Sequence, residues 1–150
     1  MRFNILGLAL LCAACAPQYT ETRLEPGQSA PVNEARFAEQ PERLFQAFEA
    51  ACDGPKDVYT ELRDGSAQCR ILPPPDVAAP LLLRFDGALE IPYIFIKRRT
   101  RKDGDSFIVT FDYFASVPLK TGNQQKVYLR SPRIDQNIDQ LFQAFGGTPI

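Results

Sequence analysis

At 150 residues the chain has room for one hydrophobic core, and 45% apolar residues with eleven Phe are enough to fill it. Its 17 basic and 18 acidic residues nearly cancel, which argues against the cationic surplus that wholesale nucleic-acid binding needs. Histidine is absent, removing the usual general base, the usual metal ligand and the usual pH switch.

The chain opens on Met1-Arg2, a minimal positive start, followed by an apolar run at residues 3–11 (FNILGLALL). That run is too short for a membrane-spanning helix, which takes about 20 residues, and fits the apolar stretch of an export signal. Small residues follow in Cys12-Ala13-Ala14-Cys15. The segment resembles the type II signal peptides of bacterial lipoproteins. Ala13-Ala14-Cys15 matches the last three positions of the lipobox, and Cys12 stands where Leu is usual. The resemblance implies that signal peptidase II removes residues 1–14 and that Cys15 becomes the first mature residue, diacylated and palmitate-bearing. Cys12 is a poor acceptor, because bulky Leu11 would sit at its cleavage site. Ala16 after the acylated Cys, where Asp would retain the protein, implies delivery to the outer membrane, facing the periplasm. The competing reading is ordinary secretory cleavage near Ala14 or Ala16. Acylation is physically sensible: each buried CH₂ adds about 0.8 kcal/mol, so two or three chains hold a domain at a membrane.

Residues 15–35 are polar, with Pro and Gly and no sustained period. They read as a flexible tether that averages about 25 Å in span if coil-like. The globular domain is expected over residues 36–150. Pro41 suits the first turn of a helix, after which Leu44, Phe45, Phe48 and Ala51-Cys52 recur at helical spacing. Asp53-Gly54-Pro55 ends that run, and Phe37 is placed to pack at its entrance.

A ladder of hairpins follows. Asp64-Gly65 separates VYTEL from AQCRIL, Asp86-Gly87 separates LLLRF from ALEIPYIFIKRR, and Asp103-Gly104 separates that strand from SFIVTFDYFASV. Asp-Gly between β-formers is a strong hairpin signal. Thr121-Gly122-Asn123 announces a further turn before QKVYLR, and Pro73-Pro74-Pro75 reads as a stiff connector. Period 2 places Leu89, Ile91, Tyr93 and Phe95 on one strand face, and Phe107, Val109, Phe111 and Tyr113 on one face of the next. The chain closes with Ile134, Ile138, Leu141, Phe142 and Phe145, an amphipathic helix stopped by Gly146-Gly147. Helix, about six antiparallel strands, helix: the order predicts an α+β two-layer domain, a meander sheet with both helices packed on it.

After export, Cys52 and Cys69 are the cysteines left in the mature domain. In an oxidising compartment they most simply pair, closing a loop of about 17 residues that adds on the order of 3 kcal/mol in the chain-entropy model. A redox pair would more typically be Cys-x-x-Cys, and a metal site would want His or more Cys.

Three groups of residues invite a functional reading. The run Lys97-Arg98-Arg99-Thr100-Arg101-Lys102 is either a patch for anionic partners or the solvated end of a hairpin. Period 2 turns residues 97, 99 and 101 away from 98 and 102, which favours the latter. The aromatic set Tyr93, Phe95, Phe107, Phe111, Tyr113 and Phe114 is expected mostly in the core; Tyr93 and Tyr113 would border any groove, since their hydroxyls prefer a wet edge. Asp103 and Asp105 fit turn chemistry, and Asp112 stands alone in a strand. Ser106, Ser116 and Ser131 have no histidine to activate them, and neither a Gly-x-Ser-x-Gly elbow nor a phosphate-cradling Gly-rich loop occurs.

No catalytic residue, metal ligand or cofactor is therefore expected. The sequence points to a lipid-anchored envelope protein that binds a protein partner through a sheet edge or the final helix. The alternative is a binder of lipid or another apolar ligand between sheet and helices; an enzyme ranks last.

Overall fold

A computed structural model describes residues 20–22, by their backbone, together with 30–85 and 90–150. The signal segment, Cys15 and the Asp86-Gly87 turn lie outside the described residues. Within them the chain runs β1 (Thr20–Thr22), β2 (Asn33–Phe37), α1 (Glu42–Ala50), β3 (Val58–Glu61), β4 (Ala67–Ile71) and α2 (Pro75–Arg84). It continues β5 (Tyr93–Asp103), β6 (Ser106–Pro118), β7 (Gln124–Arg130), α3 (Pro132–Ala144) and β8 (Thr148–Pro149).

The strands form one antiparallel sheet in the order β1-β7-β6-β5-β4-β3. Its centre is the β5–β6 hairpin, turned at Gly104, whose positive φ of 63° a side chain would resist. β6 outruns its neighbours. One edge pairs with β5 at 106–116, while the other is shared by β2 at 107–111 and β7 at 114–118. β8 closes onto β2.

α1 starts just after Pro41, whose carbonyl accepts the amides of Leu44 and Phe45. Its apolar stripe buries Leu44 and Phe48. α3 stops where Gly146 turns to φ 85°; the Gly147 amide donates to the Phe142 carbonyl and the Gly146 amide to that of Gln143, a paired bonding that satisfies the last carbonyls.

All three helices pack on one sheet face. Leu44 and Phe48 of α1 and Phe142 of α3 share a core cluster with Ala35, Phe37, Ala67, Cys69, Val109 and Phe111. Leu81 of α2 anchors a second cluster with Ile94, Ala115, Val127 and Leu129. The α+β two-layer fold is thus present, with a helix near each end. The Cys52–Cys69 disulfide ties the end of α1 to β4, with Cα atoms 5.8 Å apart.

Three expectations need correction. LLLRF is no strand: residues 81–84 belong to α2, and Pro75, beyond the extended Pro74, begins that helix. Ala78 and Leu81, three apart, are its buried side. The tether does not reach residue 35. Residues 33–37 pair with β6, and residues 20–22 pair with β7. Alternation explains the former, since Ala35 and Phe37 are buried while Arg36 points outward. Finally, Tyr93 and Phe95 do not join the core face. Register pairs them with Ser116 and Phe114, so Ile94 and Ile96 turn inward instead.

Candidate functional site

Between α1 and α3 the sheet is incompletely covered. Ala47, Phe48 and Ala51 form one wall of a groove, Ile134, Asn137, Ile138 and Leu141 the other, and Ile96, Phe111 and Tyr113 its floor. Its volume is about 370 Å³, and it opens to solvent along one side. Leu141 is 36% exposed at the rim, whereas its neighbour Phe142 is fully buried. The split follows from helical geometry: residues 134, 138 and 141 line one stripe of α3 while Phe142 points down between Phe37 and Phe111. The only polar side chains bordering the groove are those of Asn137 and Tyr113. Of the two tyrosines proposed for a rim, Tyr113 is there. Tyr93 lies on the opposite sheet face, under the Arg70 guanidinium at 4.7 Å.

The basic run divides by period 2. Arg98, 5% exposed, faces the helices, its guanidinium 3.9 Å from the centroid of Phe45 on α1. Lys102 shares that side in a recess that also holds Glu42, Glu61 and Asp64, a mixed lining that suits no free anion. Lys97, Arg99 and Arg101 point to the other face. There Arg99 binds Asp112 at 2.9 Å, and Arg101 approaches Asp103 at 3.8 Å. Asp103 also takes Arg36 of β2 at 2.8 Å.

That second face has no helix packed on it among the described residues. Antiparallel register sets Arg70, Phe95, Phe114 and Tyr128 side by side across β4, β5, β6 and β7. Phe95 stacks on Phe114 with centroids 5.5 Å apart, Tyr128 leans on Phe114 at 5.7 Å, and Lys126 Nζ sits 4.8 Å over the same ring. The six aromatics therefore split by face: Phe107, Phe111 and Tyr113 on the helix side, Tyr93, Phe95 and Phe114 on the other.

Burial shifts two tyrosines, and hydrogen bonds shift one carboxylate. Desolvation raises the Tyr128 hydroxyl above its ordinary value, and the charge of Asp112 adds to the effect. Desolvation also raises Tyr59, with Glu61 adding and a hydrogen bond with Arg98 opposing. Asp64 is held low by the Ser66 hydroxyl and amide.

Two of the serines are engaged in structural bonds. Ser116 donates to Gln124 at 2.6 Å, and Ser106 donates to the Asp103 carbonyl at 2.8 Å. Ser131 is buried at the start of α3, and Asp105 stays exposed at the hairpin tip. Among the described residues no three Asp, Glu or Cys side chains gather as metal ligands would, and no helix is long and apolar enough to cross a membrane.

No family model, curated protein or solved structure matches the chain. The sequence places Tyr113 at the rim of a groove between sheet and helices but not the rest of its lining, which comes from four elements. Sequence reading missed the cationic character of the second face because those cations sit at alternate positions on separate strands.

Proposed function

We propose that the protein is a non-enzymatic binding module of the cell envelope, held at the periplasmic side of the outer membrane by lipid on Cys15, with an α1–α3 groove that receives apolar side chains of a partner protein. The groove itself carries this reading: an apolar, solvent-open channel between two helices. Each Leu- or Phe-sized side chain buried there contributes about 1.5–3 kcal/mol.

Its dimensions favour protein side chains over a lipid chain. From Ile134 to Leu141 the α3 wall covers about 10 Å at 1.5 Å per residue. That suits two or three side chains of a partner helix or strand and is shorter than an extended acyl chain. The volume alone also falls within the roughly 300–1,000 Å³ typical of small-ligand sites, so an apolar small ligand is the alternative that experiment must separate.

Affinity recovery from crosslinked envelope, comparing the intact protein with Cys15→Ser, tests both halves of the reading. Palmitate labelling that disappears in Cys15→Ser, together with one recovered protein that is reduced in the variant, supports it. Lipid recovered without protein, or labelling unaffected by the substitution, rejects the corresponding half.

A further inference from the structure

The sheet face that carries no helix among the described residues collects seven cations: Arg36 from β2, Arg70 from β4, Lys97, Arg99 and Arg101 from β5, and Lys126 and Arg130 from β7. Among the described residues, Glu34, Asp103 and Asp112 oppose them on that face, and Asp135 of α3 pairs with Arg130 at 3.1 Å. This local surplus of three positive charges stands in a chain whose overall charge is −1. Arg99 pairs with Asp112, and Arg36 and Arg101 share Asp103. Arg70 and Lys126 instead lie over the Tyr93 and Phe114 rings. Phe114 and Tyr128 on that face are buried, 6% and 7% exposed, so the cations and not these rings form its outer surface, which suits phosphate charge.

Chain geometry points the same way. β1 pairs with β7, the strand that carries Lys126, so Thr20 is fixed at that edge of the sheet. Four residues lie between Cys15 and Thr20, and the five Cα steps reach at most about 18 Å. We infer that this cationic sheet face docks onto the phosphate-bearing head groups of the membrane to which the protein is anchored. The groove between α1 and α3 then faces away from the membrane, toward the partner. The closeness of the membrane rests on acylation of Cys15; the charge of the face does not.

The intact protein is incorporated into vesicles of phosphatidylcholine alone or with 30% phosphatidylglycerol, and lysine labelling by an amine-reactive reagent is read by mass spectrometry. Each cation near an anionic surface is worth roughly fivefold in affinity. Labelling of Lys97 and Lys126 is therefore expected to slow at least about fivefold in the anionic vesicles at low salt and to recover in high salt. Lys56 and Lys102, away from that face, are expected to label alike in both. The double variant Arg70→Gln/Arg101→Gln is expected to lose the protection. Equal labelling in both vesicles, equal slowing of all four lysines, or protection by inorganic phosphate without vesicles each overturns the inference. If the protein fails to float with pure phosphatidylcholine, acylation has failed instead; flotation with the anionic vesicles, lost in the double variant, then decides whether the face docks.

Discussion

The Arg98 guanidinium lies 3.9 Å from the centroid of the Phe45 ring, closing a cation of β5 onto an aromatic of α1. A charge 95% shielded from water is normally costly. Here the ring face supplies part of what water would, worth about 2 kcal/mol when desolvated, and Thr100 accepts a hydrogen bond at 3.4 Å. Three residues along the same strand, Arg101 is largely solvated. Arg98→Gln is expected to lower unfolding free energy by about 2 kcal/mol, and Arg101→Gln to change it by less than about 0.5 kcal/mol. Urea denaturation of both variants checks this; equal effects would show that the two arginines have the same role.

The disulfide holds a wall of the groove, since Cys52 directly follows Ala51. Cys52→Ser/Cys69→Ser is expected to cost about 3 kcal/mol by the loop-entropy argument. Reductant should produce the same loss in the parent and none in the variant. Unchanged denaturation midpoints on reduction would contradict that role.

Adjacent residues of α3 should separate stability from binding. Phe142 is fully buried, stacked on Phe111 at 5.2 Å and edge-on to Phe37 at 6.1 Å. Phe142→Ala is therefore expected to cost about 3–5 kcal/mol. Leu141→Ala, at the groove rim, is expected to cost less than about 1 kcal/mol while weakening partner recovery. Thermal unfolding and affinity recovery of the two variants, side by side, test this separation.

The pH response should be one-sided. With no histidine in the chain and with Cys52 and Cys69 bonded, no side chain type among the described residues has an ordinary pKa between about 5 and 9. Tyr59 and Tyr128 are raised in the folded state by burial. The fold then binds more protons than the unfolded chain at alkaline pH. The stabilisation is complete below the ordinary tyrosine value of about 10 and is lost as pH climbs through the raised folded values. Tyr128→Phe should flatten this alkaline decline, measured as denaturation midpoint against pH; an unchanged slope would exclude Tyr128 as its source. Asp64, held low, contributes in the opposite direction, its share vanishing as pH falls through its folded value.

Much of the fold was legible where local chemistry and period agreed. Asp64-Gly65 and Asp103-Gly104 mark hairpins, and Ile134, Ile138 and Phe142 mark α3. α2 was hidden by Pro80, which sits inside the helix and reads as a breaker, and by the β-like run Leu81-Leu82-Leu83. β2 was hidden by its length of five residues and its polar outer positions Glu34 and Arg36. The split of Lys97, Arg99 and Arg101 from Arg98 and Lys102 follows from period 2 alone. Their joining with Arg36, Arg70 and Lys126 depends on which strands become neighbours, which local sequence does not encode. The same holds for the groove: Ala51, Phe111 and Leu141 meet only through packing.

The most direct test of the central claim places a photo-crosslinking amino acid at Leu141, at the groove rim, and separately at Gln140, exposed one residue earlier on α3. A single protein adduct from position 141, absent from position 140 and abolished by Ala51→Arg, which fills the groove from α1, is the predicted result. A lipid adduct alone, or the same protein adduct from both positions regardless of Ala51→Arg, would contradict the assignment of the α1–α3 groove as a partner-binding site.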